Sequence, residues 1–335
     1  MTSTELIMKT IRYEDTPRRA VSLLDGYNFF MKQNDMQLPQ LWGMPADEAA
    51  DFIIAQYDKA GSDMVYISAM VHIAVYESLK AALGGQEPPF PTAEDAADWT
   101  GEKIWKLAEG HPMLQMLKDL LGALNRKLAG EKPIMAFSVG PFTLMTMLMG
   151  MDAAMWAIVD EEQDQDALHH LLDVCADLTV CELKYELECG ATGISSADPS
   201  AAVNLISEEN FEKYALLPIR KVFRTFAGMD IPIMLHICGS SSPRVAPLVG
   251  SGINIYSMDD VDIAFAQEQA KGDFAIFGNL NTVDVMLRET PEGVARIAKE
   301  RLAQAKAGLI LAPGCDLAPD TPAENVAAMV QAARG

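Results

Sequence analysis

His236 and Cys238 stand two residues apart in PIMLHICGSSSP (residues 232–243), at the end of an apolar run. Imidazole nitrogen and thiolate sulfur are donors that hold zinc. Side chains two apart on a β-strand share a face, so both donors would converge at one strand end, with Met234 below them. Cys315, 77 positions after Cys238, closes a second apolar run of the same kind in GLILAPGC (308–315). Three protein ligands with one position left open is the pattern of a catalytic zinc. With two thiolates and one neutral imidazole such a centre is formally neutral, and it lowers the pKa of a thiol bound in the open position. Packing is the competing reading, because free cysteine behaves as a small buried hydrophobe and the third ligand lies far outside zinc-finger spacing. At the level of residue types both readings stand.

What would position these residues is a repeated grammar of helix, short apolar β-rich run, and loop with small or polar residues. It occurs at 62–70, 133–141, 191–199, 231–239, 252–260, 273–279 and 308–315, with helical stretches between, such as 160–189, 208–229 and 290–307. Strands alternating with helices imply right-handed βαβ units and a parallel sheet. No glycine-rich dinucleotide or P-loop motif follows an early strand, so a (β/α)8 barrel is expected over a doubly wound nucleotide-binding sheet. Barrel active sites lie at the C-terminal strand ends. His236, Cys238 and Cys315 fall there, as do Asp198, Asp259 and Asn279. Asp198 has two readings, an acid presented to the pocket or a helix cap. Cys175, Cys181 and Cys189 are spaced six and eight apart on one helix and share no face, which suits packing. His169 and His170 point about 100° apart on that helix, and His72 and His111 show no partner.

The chain has 335 residues, 50% of them hydrophobic, enough for one large domain. Its 26 basic against 47 acidic residues, net −21, argue against a nucleic-acid partner, which needs clustered cations. Five scattered cysteines and an N-terminus without an apolar signal core suggest a cytoplasmic protein. The run 133–151 is free of charge and near bilayer-spanning length, but Gly140-Pro141 should divide it into strand, turn and helix. No membrane association is expected.

The motifs LHICG (235–239) and GLILAPGCDLAPDTPAEN (308–325) resemble the uroporphyrinogen decarboxylase superfamily, in its methylcobamide:coenzyme M methyltransferase branch. GPFTLM (140–145), GATGISSADPSA (190–201), YSMDD (256–260) and GNLNTVDVM (278–286) add to the likeness, which covers residues 45 to 335. The resemblance implies a single TIM-type (β/α)8 barrel with Zn2+ on His236, Cys238 and Cys315. It also implies methyl exchange between a corrinoid (cobalamin) on a partner protein and a small substrate, a thiol such as coenzyme M being favoured. The alternatives are demethylation of a methyl ether or other small donor, a uroporphyrinogen decarboxylase-type reaction, and a non-enzymatic barrel whose structural zinc takes Asp259 as fourth ligand. Asp198 and Asn279 are the substrate-pocket candidates.

Residues 1–45 depart from the pattern and read as a divergent N-terminal segment ahead of the barrel at 46–335. RRAVSLLDG (18–26) reads as helical, with Arg18 and Arg19 on its surface, so the first barrel strand would be missing, displaced or replaced. The R-Q-A-G-R motif of true uroporphyrinogen decarboxylases is absent.

Overall fold

Apolar runs that are buried on both faces become parallel strands. In the computed structural model, which describes residues 1–67, 70–160, 162–305 and 307–335, these are β1 (Ala20–Val21), β2 (Val65–Tyr66), β3 (Ile134–Val139), β4 (Gly193–Ala197), β5 (Ile233–Ile237), β6 (Ile255–Met258), β7 (Ala275–Leu280) and β8 (Leu309–Pro313). Their order is β1-β8-β7-β6-β5-β4-β3-β2, parallel throughout, and the sheet curls into a TIM-type barrel surrounded by helices. Part of the run expected at 62–70 lies at 68–69, outside the described residues.

The register pairs Ala197 with His236 and His236 with Ser257. Met234 faces the barrel interior, where its sulfur approaches the Tyr66 hydroxyl at 3.7 Å. The period of two then aims His236 inward as well, one level nearer the mouth. The charge-free run 133–151 divides at Gly140-Pro141 into β3 and the helix Pro141–Met149, since proline suits a first helical turn. Among the described residues no helix is long and apolar enough to cross a membrane.

The first strand is present, which corrects the expectation that it is missing, displaced or replaced. It lies in the run that reads as helical, because Ala20, Val21, Leu23 and Leu24 are apolar at spacings that suit either period, and pairing with β8 decides the matter. Arg18 is likewise no helix-surface residue. Its two terminal nitrogens donate to Asp63 Oδ2 and Oδ1 at 2.7 and 2.6 Å. Asp63 also accepts from the Val21 amide (3.0 Å) and Ser3 Oγ (2.7 Å), and its own amide donates to the Val21 carbonyl (2.8 Å). Ser22 and Ser62 hydroxyls meet at 2.9 Å, and Tyr27 OH donates to the Tyr66 carbonyl at 3.0 Å. The β1/β2 seam is therefore joined largely through side chains.

Burial pushes the Asp63 carboxyl up, but the bonds from Arg18, Ser3 and Val21 outweigh it and hold the pKa below the ordinary value. Asp63→Ala should cost about 3 kcal/mol, because it strands Arg18 and the Val21 amide together. Urea denaturation at neutral pH measures it. Asp63→Asn, which still accepts from Val21, should recover part of the loss, and a cost below about 1 kcal/mol for the alanine variant would refute the seam assignment.

Candidate active site

The His236 side chain is 3% exposed and stands at the end of β5. Its Nδ1 meets Ser257 Oγ on β6 at 3.0 Å, which leaves Nε2 to face the barrel mouth, where Cys315 Sγ lies 3.7 Å away. Cys315 follows β8 directly and Cys238 follows β5, and the two thiols are themselves hydrogen-bonded. The bond received from Cys315 brings Cys238 down to about 7 despite its burial. Donating that bond, together with burial, pushes Cys315 up to about 12 against the pull of His236. Residues separated by 77 and 79 positions meet at one point of the rim.

Asp259, at the end of β6, has one oxygen accepting from the Gly239 amide at 3.4 Å. The other, Oδ1, is buried with no hydrogen-bond partner. Gly314 must lack a side chain there, because a Cβ would stand 2.2 Å from that oxygen. Asp198, fully buried, accepts from the Phe142 and Thr143 amides (3.2 and 2.7 Å) and Thr143 Oγ1 (2.6 Å). It therefore caps the helix Pro141–Met149 from across the rim. Burial raises its pKa to about 6 against those donors. Asn279 is 5% exposed; its amide nitrogen donates to the Val261 carbonyl, and its Oδ1 is buried without a partner.

The other histidines and cysteines lie apart. Cys175 and Cys189 are buried and Cys181 half-buried along the helix Gln165–Cys189. His169 stacks on Tyr214, whereas His170 Nε2 meets the carbonyls of Ala96 and Trp99, each at 3.2 Å. His111, which shows no partner in sequence, caps the helix Pro112–Leu128 by accepting from the Met113 amide at 3.3 Å. His72 Nδ1 is buried with no partner.

Sequence reasoning misses Ser257 and the pair Asp25 and Asp316. Asp316 accepts from the Gly26 amide at 3.1 Å and from Asn28 Nδ2 at 2.8 Å. Asp25, four residues beyond β1 in a left-handed conformation (φ 55°), lies within electrostatic reach of Asp316 and Cys315. Burial, then mutual repulsion, raises the Asp25 pKa; burial raises that of Asp316. The CD pair 315–316 is the sequence signal for Asp316, and a helical pattern over 18–26 hides Asp25.

Zinc bonds of about 2.3 Å to sulfur and about 2.0–2.1 Å to nitrogen, at tetrahedral angles, separate the two donors by about 3.5 Å. The 3.7 Å between Cys315 and His236 suits one edge of such a site, and the orphaned Asp259 oxygen suits a position beside it. Among the described residues no group of three or more His, Cys, Asp or Glu side chains is placed so as to hold a metal ion. The fit rests on the donor types, that edge, and the thiol contact.

A parallel barrel with its polar side chains gathered at the C-terminal rim defines a TIM-barrel site. The Uroporphyrinogen decarboxylase (URO-D) family profile matches residues 2–335, and the chain belongs to that family. It is 34% identical over 233 residues to the methylcobamide:CoM methyltransferase MtbA of Methanosarcina acetivorans, covering 69% of this chain and 66% of that protein. It is 31% identical over 296 residues to the methylcobamide:CoM methyltransferase MtaA of Methanosarcina barkeri, covering 84% and 83%. The alignment thus spans slightly less than two thirds of MtbA. A solved methyltransferase from Methanosarcina mazei shares the fold, with a TM-score of 0.82 over 99% of this chain and 98% of that one, at 21% identity.

Proposed function

We propose that the chain is a corrinoid-linked methyltransferase in which His236, Cys238 and Cys315 hold Zn2+, and that it moves a methyl group between a partner protein's corrinoid and a small thiol. The observation that carries this reading is the meeting of Cys315 with His236 at 3.7 Å and with Cys238 at the barrel mouth. The named methylcobamide:CoM methyltransferases among its relatives support the reaction class. When bound, zinc would supply Lewis acidity that keeps a thiol deprotonated near neutral pH.

The chain's own residues do the rest. Ser257 fixes the His236 ring so that Nε2 faces the sulfurs, the role an outer-shell partner plays for a ligating imidazole. Cys238 and Cys315 set the two remaining donors. Asp259 Oδ1 is placed to accept a hydrogen bond from a water or substrate beside them. Asp198 is committed to helix capping and leaves the proton chemistry to other groups. In the transfer, the substrate sulfur forms a bond to the methyl carbon while the cobalt–carbon bond breaks. Both electrons of that bond stay on cobalt, which goes from Co(III) to Co(I), and the thiol proton leaves to solvent.

The test is the visible spectral change from methyl-Co(III) to Co(I) when the zinc-loaded protein meets methylcobalamin and a small thiol. A thiol-dependent rate that scales with protein is expected. Loss of carboxylates from uroporphyrinogen without corrinoid would overturn the reading in favour of decarboxylation. Methylation of Co(I) by a methyl ether, with no response to thiols, would reverse the direction.

A further inference from the structure

A second polar cluster lies in the barrel wall, between the sheet and the helix Gln165–Cys189. Met234 and Tyr66 meet inside the barrel, and the register pairs Met234 with Ser195 and Leu235 with Ser196. Ser195 therefore faces inward and Ser196 outward. Ser138, the partner of Ser196 on β3, faces outward beside it. The helix is anchored over these strands where Thr179 Oγ1 donates to the Val139 carbonyl at 3.2 Å. Farther along it, Glu186 takes a backbone hydrogen bond from Phe137, so the helix descends β3 as its numbering rises. Thr179, Glu182 and Glu186 share one face at spacings of three and four. Glu182 lies about 4.5 Å down the helix from Thr179 and Ser138 about 3.3 Å down the strand from Val139, which brings the two level.

Ser138, Ser196, Glu182 and Glu186 are all fully buried. Among the described residues neither serine hydroxyl and neither Glu182 oxygen has a hydrogen-bond partner, and the Phe137 backbone is all that Glu186 meets. No lysine or arginine acts on either glutamate; their titratable neighbours are each other and, for Glu182, Cys175. Buried polar groups are ordinarily paired, and the hydroxyls do not supply the pairing although they could donate to the carboxylates. Two carboxylates and two hydroxyls are a hard, all-oxygen donor set, and a dipositive ion would cancel both charges. Calcium accepts such oxygens in a flexible shell, whereas magnesium holds several waters, for which a packed helix–sheet interface is a poor host. We propose that Glu182, Glu186, Ser138 and Ser196 bind a calcium ion that ties this helix to β3 and β4, separate from the residues at the barrel mouth.

The test uses the zinc-loaded protein dialysed into calcium-free buffer at pH 8.5, with zinc content followed throughout. Calcium at millimolar concentration should raise the Tm by at least about 2 °C, and calorimetry should find about one tight calcium per chain. Magnesium at the same concentration should give less than half the rise. Glu182→Gln keeps the shape but removes one charge, and should weaken calcium binding by at least about tenfold and abolish most of the rise. Ser196→Ala, which removes one hydroxyl, gives a second reading should that variant misfold. The acidic surface also attracts divalent ions, but that effect treats both metals and all variants alike. A rise that is equal for calcium and magnesium, or unchanged in both variants, would therefore overturn the inference. So would no rise and no calorimetric binding at all, which would leave the glutamates as protonated, water-bridged groups. None of these outcomes bears on methyl transfer, since the four residues lie outside the zinc-ligand set.

Discussion

Cys315→Ser is expected to abolish most zinc binding and to lower methyl transfer by at least about 100-fold, a loss at the upper end of what removing an outer-shell partner alone produces. The reason is geometric. Cys315 is the residue that touches both His236 and Cys238, so its loss removes one donor and the contact that gathers the other two. Cys238→Ser should behave similarly, because the sulfur brought down to about 7 is the one most ready to ligate as thiolate. Elemental analysis should find about one zinc per wild-type chain and little in either variant. Circular dichroism should stay unchanged, since the core of the barrel is built from apolar strands whose burial does not involve the site. Near-wild-type zinc in both variants would sink the assignment. Loss of the fold along with the metal would point instead to a structural zinc.

X-ray absorption adds an independent readout. Two sulfurs, one imidazole nitrogen and one light oxygen are expected without substrate, and three sulfurs with a bound thiol. A third sulfur at about 2.3 Å should come with release of about one proton per site. A spectrum fixed at two sulfurs across a panel of thiols would refute thiol ligation.

The second large effect concerns stability and lies away from the rim. Glu182 and Glu186 sit one turn apart on the helix Gln165–Cys189, fully buried; neither Glu182 oxygen has a hydrogen-bond partner, and only the Phe137 backbone offers Glu186 a weak offset to its burial. Burial raises Glu182 from 4.5 to about 8, and burial with repulsion from Glu182 raises Glu186 well above its ordinary value. A folded-state pKa above the unfolded one means that the folded protein binds the proton more tightly. The associated stability is complete below pH 4.5 and is lost progressively as pH rises toward 8. For Glu182 the shift corresponds to about 5 kcal/mol at the alkaline end.

Glu182→Gln keeps the shape without the ionisation. It should be more stable than wild type at pH 8.5, by up to about 5 kcal/mol, and nearly equal to it at pH 5. Thermal denaturation at the two pH values measures this, and the Glu182→Gln/Glu186→Gln double variant should flatten the profile further. A wild-type profile that does not decline between pH 5 and 8.5, together with no gain in the variants, would show that these carboxyls find charge partners on folding.

Much of the barrel was legible because its signal is local. Seven strands are apolar runs bounded by small residues, and their spacing with intervening helices allows little but a parallel sheet. His236 and Cys238 were legible for the same reason, since a period of two places both at one strand end whatever surrounds them. Chain-local chemistry also marked Gly140-Pro141 as a break, and that break made a strand and a helix of a run near membrane-spanning length.

Partner choice at a distance was decided by tertiary structure alone. Ala20 and Val21 are a strand because β8 lies beside them, and two residues carry too little periodicity to declare themselves. The buried Asp63, bonded to Arg18, Ser3 and Val21, completes a seam that no motif announces. Asp198 reads equally as an acid or a cap until Phe142 and Thr143 present their amides to it. Asp25 joins Asp316 and Cys315 across some 290 positions. The sequence by itself determined which side chains stand at strand ends. The closure of the barrel determined which of them meet, because proximity between residues far apart in the chain depends on the packing of every element between them.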